Sequence, residues 1–336
     1  MRAIPENHEG VAESPKMVSI IISNFNGREH LRDCLSSLFE LNYPKYEVIV
    51  VDAGSGDKSP QMVKENFPWV KLLEKGRVGI GEAINYGISA AKGEIIAFDL
   101  NSDDIVDPNW LNPLVEALVN SRDVGIVCGK RLRYGTNSVL DCAGGKINKF
   151  TGDTPVIGQG RPDSEEYSVQ REVDYVPVIM TKREVLRKIG LCDPSFFIYF
   201  EDTDFCLRAR KAGYKIIYVP SAIFWHKGSS TVGKFSYRGY YYLRRNQIWF
   251  IVKNFSPFYM MSALLHNLFT RPAMEAFIAI GPVHNLVDFL VPTLRGYTRQ
   301  VSSVEHLRAQ QNVMIWSSRN LKRLIQARHR QPLRCI

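Results

Sequence analysis

The sequence predicts an α/β fold: a central, mostly parallel β-sheet with helices on both faces, followed by a helical C-terminal appendage. Three observations predict it. Between residues 17 and 100, short apolar runs alternate with helix-length patterns, as they do when parallel strands are joined through helices. The runs are apolar at consecutive positions, as strands buried on both faces are. After Thr231 the strand patterns give way to aromatic and aliphatic residues with helical spacing.

Taken in order, "MVSIIIS" reads as the first strand, residues 28–41 as a helix, "YEVIVVD" as the second strand and residues 59–67 as a helix. "WVKLLE", a helix near 81–92 and "EIIAF" complete this half. "DPNWLNPLVEALV" has the composition of a helix beginning at Asp107, with Pro at its first position. Residues 124–180 hold short strand-like pieces and a glycine-rich stretch, "DCAGGKINKFTGDTPVIGQG", read as hairpins and a flexible loop rather than a phosphate contact. A helix from Glu201 to a stop at Gly213, with Phe205, Leu207 and Ala209 facing the core, precedes the strand "KIIYVP".

The composition is that of a globular protein: 45% hydrophobic and 23% charged over 336 residues. Residues 1–16 lack an apolar leader core and read as a flexible tail, so the chain is expected in the cytoplasm. Six cysteines (34, 128, 142, 192, 206 and 335) form no Cys-x-x-Cys pair, which argues against a zinc site or a disulfide framework and for core positions. The net charge of +9 is concentrated at the C-terminal end, where residues 291–336 carry nine Lys and Arg against Glu305. There Val304, Leu307, Met314, Leu321 and Ile325 repeat at helical spacing on an Arg-rich background, a pattern that suits an anionic membrane surface or a helix docked on the domain. Aromatics interleaved with Arg, as in "YRGYYYLRRNQ", come without any nucleic-acid fold signature, so no nucleic acid is expected.

In a parallel sheet, ligands sit beyond the carboxyl ends of the strands. Three polar loops fall there: "SNFNG" (23–27), "DAGSGDKS" (52–59) and "DLNSDDIV" (99–106). If the backbone stays extended past Phe98, Asp99, Asn101 and Asp103 share one side, which suits a divalent cation; turn and capping chemistry explains the same composition. "EDTD" (201–204) is either helix capping or a set of carboxylates shielded by Phe196, Phe197, Tyr199 and Phe200, with a general base among them. Arg208, four residues after Asp204, is placed to pair with it. His226, read as lying after the strand, is either a framework residue or a metal ligand.

These motifs together resemble the family 2 inverting glycosyltransferases of the GT-A fold, over residues 17–231. "VSIIISNFNG" resembles that family's opening strand, and "VIVVDAGSGDKS" its nucleotide loop, with Ala53 where Asn is usual. "GIGEAINYGISAAKGE" is similar to its Asn-x-Gly helix and "LNSDD" to its metal motif. "YFEDTDFCLRARKAGY" resembles its acidic catalytic helix and "WHKGSS" its late His motif. The motif style also resembles rhamnosyltransferases.

The resemblance implies a catalytic domain over 17–235, with a nucleotide half at 17–105 and an acceptor half at 106–235, and a basic helical region at 236–336. It implies that Asp52, Ser55 and Asp57, with Asn24, Asn85 and Ser102, receive a nucleoside diphosphate sugar. Asp103 and Asn101, joined by His226, would hold Mg²⁺ or Mn²⁺. Asp202 would be the base, with Glu201 and then Asp204 as the other carboxylates. The expected reaction is a single inverting displacement onto a hydroxyl of a glycan or lipid-linked glycan, at the inner face of the cell membrane. Two alternatives stand beside it. A sugar nucleotidyltransferase should carry a Gly-rich loop after the first strand, where "SNFNGREH" offers only Gly27. A non-catalytic glycan- or membrane-binding protein is hinted at by Asn101 and Ala53.

Overall fold

The computed structural model describes residues 14–136, 138–228, 237–271 and 303–320, together with Gln326. Of the features read above, the tail to residue 13, the apolar stretch 272–302, Leu321, Ile325 and Cys335 lie outside the described residues, as do the side chains of Val304 and Leu307.

The first half follows the alternation of its sequence: β1 (Val18–Asn24), α1 (Arg28–Phe39), β2 (Tyr46–Asp52), α2 (Ser59–Asn66), β3 (Lys71–Glu74), α3 (Ile80–Ala90) and β4 (Ile95–Asn101). The strands pair in parallel in the order β3-β2-β1-β4. Val18, Ile20, Ile21 and Ile22 are all fully buried, so β1 lies in the middle of the core with both faces covered.

The second half extends the same sheet. After β5 (Asp104–Val106) and α4 (Leu111–Val119) come β6 (Val124–Arg133), β7 (Leu140–Cys142), β8 (Arg171–Glu172) and β9 (Ile179–Lys182). Then α5 (Arg183–Ile189), α6 (Glu201–Lys211) and β10 (Lys215–His226) follow. β9 enters antiparallel between β4 and β6, and β10 lies parallel to β6, so the sheet is mixed but mostly parallel along its main path. The region read as hairpins therefore contributes β6 and β9 to the main sheet, and a ladder of bridges folds the glycine-rich stretch back on itself, pairing Gly145 with both Val156 and Tyr175.

Several boundaries differ from the sequence reading for local reasons. α4 starts at Leu111 rather than Asp107, because Asp107 closes a turn: its carbonyl accepts from Trp110 N (2.9 Å) and its side chain from Asn109 N (2.9 Å). His226 is the last residue of β10 rather than a residue beyond it, since the strand runs through a register shift between Val219 and Ile223. Leu207 is only partly buried and faces the C-terminal helices, while Cys206 takes the core position beside Phe205 and Ala209. Five cysteines, at 34, 128, 142, 192 and 206, are free and buried, as the absence of paired spacing implies.

Among the described residues the helices that follow are α7 (Tyr237–Asn254), α8 (Pro257–Leu265), continued by a π-turn at His266–Thr270, and α9 (Ser303–Arg319). With Phe196 and Phe200 they build a second cluster that includes Ile248, Phe250, Ile251, Ala263 and Val313. α9 lies on α7, with the rings of Trp249 and Trp316 6.2 Å apart. Its buried side holds Ala309 and Val313, so Met314, placed on the apolar stripe by spacing alone, is 47% exposed. Among the described residues no helix is long and apolar enough to cross a membrane.

Candidate active site

The carboxyl ends of β1, β2 and β4 bring the three polar loops together. Asn24, at the end of β1, donates from Nδ2 to Asp52 Oδ2 (2.9 Å) and to Ser55 Oγ (3.2 Å). Asp52 also accepts from Gly54 N (3.0 Å), Ser55 N (2.8 Å) and Ser55 Oγ (2.6 Å), so its carboxylate shapes the loop from inside. Asp57 accepts from Arg28 N (2.8 Å) and Ser59 N (3.0 Å), tying the first turns of α1 and α2 to the loop. Ser102 lies close to Asn24: a Cβ placed on Gly27 would come within 2.8 Å of both Ser102 Oγ and Asn24 Oδ1. That Asn24 Oδ1 is buried without a hydrogen-bond partner, which leaves an acceptor open inside the loop cluster. Asn85 is committed elsewhere. Its amide donates to Cys192 O (2.8 Å) and accepts from Cys192 N (3.0 Å), so it fastens α3 to the segment before the acidic helix rather than joining the loops.

The run 99–106 does not stay extended. Asp99 has φ +66°, and the β1–β4 register shifts there, so the alternation that places Asp99, Asn101 and Asp103 on one side ends. A turn follows, closed by Asn101 N donating to Asp104 Oδ2 (2.9 Å). Its result is a group of Asp103, Asp104 and His226 with ligand atoms mutually within 4.8 Å. His226 Nε2 is 3.4 Å from Asp103 Oδ2, and its Nδ1 is 3.1 Å from Asp141 Oδ2. Asp141 in turn lies 2.8 Å from Arg131 Nε. A carboxylate behind an imidazole fixes the ring so that the other nitrogen faces the site, the arrangement found behind metal-bound histidines. Burial opposes protonation of His226, yet Asp103 and Asp141 carry it up to about 9.

Two carboxylates and an imidazole fit Mg²⁺ or Mn²⁺. Asp104 Oδ1 is buried with no partner, as an oxygen facing an ion would be. Asp104 stands inside the "LNSDD" motif, where the resemblance favours Asp103 as the ligand, and Asp141 carries no local signal in the sequence. The first depends on the positive φ at Asp99, and the second arrives from β7, 85 residues before its partner.

Across the site, α6 presents its first turn. Burial, and then the adjacent Asp202 charge, push Glu201 up to about 8. Burial carries Asp202 up to about 6, against hydrogen bonds from Thr203. Burial, Glu201 and Asp202 together raise Asp99 well above the carboxylate range, so the three form one electrostatic group. Glu201 Oε2 has no hydrogen-bond partner. Asp204 is different: burial opposes its charge, but Lys253 and Arg208 outweigh it and hold the group at about 2. Arg208 Nε lies 2.9 Å from Asp204 and its other nitrogens donate to Ile189 O and Leu191 O, so Asp204 belongs to the framework.

The segment before α6 is strained. Ile198 N donates to Phe196 O (2.8 Å) around Phe197 at φ +65° and ψ −56°, the rare form of γ-turn. Tyr199 (φ +67°) and Phe200 (φ +72°) are left-handed too. For bulky residues such conformations cost about 1–3 kcal/mol each and persist only where surrounding contacts over-determine them.

Residues 19–202, more than half of the chain, match the model of glycosyl transferase family 2. The chain belongs to that family. Residues 178–296 also match glycosyl transferase family group 2. An uncharacterized glycosyltransferase of Nostoc is 29% identical over 181 residues, 53% of this chain and 54% of that protein. The poly-β-1,6-N-acetyl-D-glucosamine synthase of Staphylococcus epidermidis is 26% identical over 223 residues, 64% of this chain and 51% of that one. The chain thus spans about half the length of these relatives. Among solved structures, the mannosyltransferase PcManGT from Pyrobaculum calidifontis, in complex with GDP-Man and Mn²⁺, has a TM-score of 0.52 at 20% identity, covering 92% of this chain and 88% of that one. GalNAc-T7 with UDP, GalNAc and Mn²⁺ has a TM-score of 0.59 at 19% identity, covering 82% of this chain and 54% of that one. These likenesses establish the GT-A fold for this family 2 glycosyltransferase.

A buried Glu201 that ionises only near 8 has a definite consequence for stability. Its folded pKa lies above its unfolded value, so the stability it contributes is full below about pH 4.5 and is lost as pH rises through about 8. Glu201→Gln is therefore expected to melt higher than the wild type at pH 9, by on the order of 5 °C, with the gap closing below pH 5. Thermal melts of both proteins across this range check it.

Proposed function

We propose that this glycosyltransferase moves a sugar from a nucleoside diphosphate sugar to a hydroxyl of a lipid-linked or polysaccharide acceptor, with inversion and with Mg²⁺ or Mn²⁺. The observation that carries the reading is the nearness of Asp103, Asp104 and His226 to the buried Glu201 and half-buried Asp202 at the carboxyl ends of the strands. The first group suits a diphosphate-bound cation, the second a proton acceptor. Asp52, Ser55 and Asp57 hold the nucleotide loop, with Asn24 and Ser102 beside it. Base and ribose would bind against that surface. Asp103, Asp104 and His226 would hold the ion, with the Asn101 backbone closing their turn. A bound divalent ion would neutralise charge on the departing diphosphate.

Asp202 takes the acceptor hydroxyl proton in this reading. A pKa near 6 leaves it mostly ionised at neutral pH while still basic enough to receive a proton. Glu201, carried to about 8, stays protonated beside it and spares the pocket a second negative charge. One base and one ion-held leaving group suit a single displacement from the face opposite the leaving group, which needs no covalent intermediate.

Asp202→Asn is expected to lower the rate of nucleoside diphosphate release by about 10² to 10⁴ while nucleotide affinity stays nearly unchanged. In the wild type, kcat/KM should fall as pH drops through about 6. A screen of nucleoside diphosphate sugars for diphosphate release, followed by kinetics of the variant with the active donor, checks both. Loss of nucleotide affinity in the variant contradicts the assigned role.

A lipid-linked acceptor is supported by the outer face of α8. Phe258, Met261, Leu265 and Phe269 are 69%, 59%, 52% and 62% exposed, and their spacing puts them on one face. Phe150 joins them through its contact with Phe258. The net charge of +9 suits an anionic lipid surface. Sedimentation with anionic vesicles is expected for the wild type and lost in the Phe258→Asp, Leu265→Asp double variant. Equal sedimentation of the two contradicts this contact.

A further inference from the structure

α7 lies beyond residues 19–202 but within the 178–296 stretch matched by family group 2, and it grips the strained turn that leads into α6. Asn246 is fully buried. Its Nδ2 donates to Phe196 O (2.7 Å), Ile198 O (2.6 Å) and Tyr199 O (2.8 Å), so two N–H bonds serve three carbonyls. The amide orientation is set by Arg245, whose Nε donates to Asn246 Oδ1 (2.7 Å). Arg245 also donates to Ser195 O (2.9 Å) and Phe196 O (2.8 Å). Two turns later the helix grips again: Lys253 reaches Asp193 (2.8 Å) and Asp204 (2.9 Å), and Asn254 donates to Asp204 Oδ1 (2.8 Å).

The turn is held from its other side by the donor half. Ile80 N donates to Phe197 O (2.7 Å), and a Cβ on Gly79 would lie 2.8 Å from Phe197 Cα. The backbone at 196–200 therefore runs between α3 and α7, in a conformation its own residues disfavour. Carbonyls crowded by a γ-turn and two left-handed residues need donors, and Asn246 and Arg245 supply them.

We propose that Asn246, oriented by Arg245, is a positioning residue for sugar transfer: it holds the 196–200 turn so that α6 presents Asp202 at a fixed place relative to the donor loops. This rests on the reading of Asp202 as the base. Without these donors the turn relaxes toward negative φ and the first turn of α6 moves, while the nucleotide loops, built from β1 and β2, stay in place. The helical C-terminal region is thus part of the catalytic framework, and its motif "RRNQ" has a role that apolar packing alone does not require.

Asn246→Asp tests this, since it keeps the size and the Arg245 partner but removes the N–H donors. The expected result is a loss in kcat of about 100-fold, with donor KM and nucleotide affinity within about threefold of the wild type. Hydrogen exchange at the Ile198 and Asp204 amides should quicken in the same variant. A folded variant with wild-type kcat, or one in which kcat and nucleotide affinity fall together, overturns the proposal. If Asn246→Asp does not fold, Arg245→Lys carries the same signature at about tenfold, and its absence overturns the proposal equally. Should the wild type release no diphosphate from any donor, the assigned function fails. The exchange measurement then decides the clamp alone, and unchanged exchange overturns it.

Discussion

The structure depends on a crowd of carboxylates placed where water is scarce. Asp99, Asp103, Asp104, Asp141, Glu201 and Asp204 are all nearly or fully buried at one end of the sheet. In such surroundings each charge must be paired, protonated or matched to an ion. Asp204 is paired by Arg208 and Lys253, and Asp141 by Arg131. Asp103 faces His226. Asp99, Glu201 and Asp202 have raised pKa values instead. Asp204 and Asp141 build the framework, and the other carboxylates mark where chemistry is available.

The fold makes this crowding tolerable by supplying rigid walls. β1 and β4 are buried on both faces, so the loops after them have little freedom. Around the site the backbone departs from ordinary geometry at Asp99, Phe197, Tyr199 and Phe200. The last three lead directly into the first turn of α6. A protein that only bound a glycan would have no evident use for strain concentrated beside raised-pKa carboxylates, which is why an enzyme fits these features best.

Much of this was legible in the sequence, because β1, β2 and β4 announce themselves as doubly buried runs and their polar loops follow at once. Asp52, Asp103, Asp202 and His226 stand out as polar residues at the ends of apolar segments. What could not be read is instructive. Asp104 joins Asp103 and His226 because a positive φ at Asp99 breaks the extended alternation, a conformation that aspartate tolerates but that its presence alone does not announce. Asp141 and Asn246 reach the site from distant segments, by a β-hairpin and by a helix after the sheet. Asn85 has the look of a ligand residue but serves Cys192, a distinction that only three-dimensional neighbours reveal.

Asp103, Asp104 and His226 would hold a divalent ion, which would supply neutralising charge to the diphosphate. Calorimetric titration with UDP, GDP and dTDP, each with and without Mn²⁺, tests it most directly when repeated on Asp103→Ala. Binding of one nucleotide that requires Mn²⁺ and disappears in the variant is expected. Binding that is indifferent to the ion, or no binding of any nucleotide to the wild type, contradicts it.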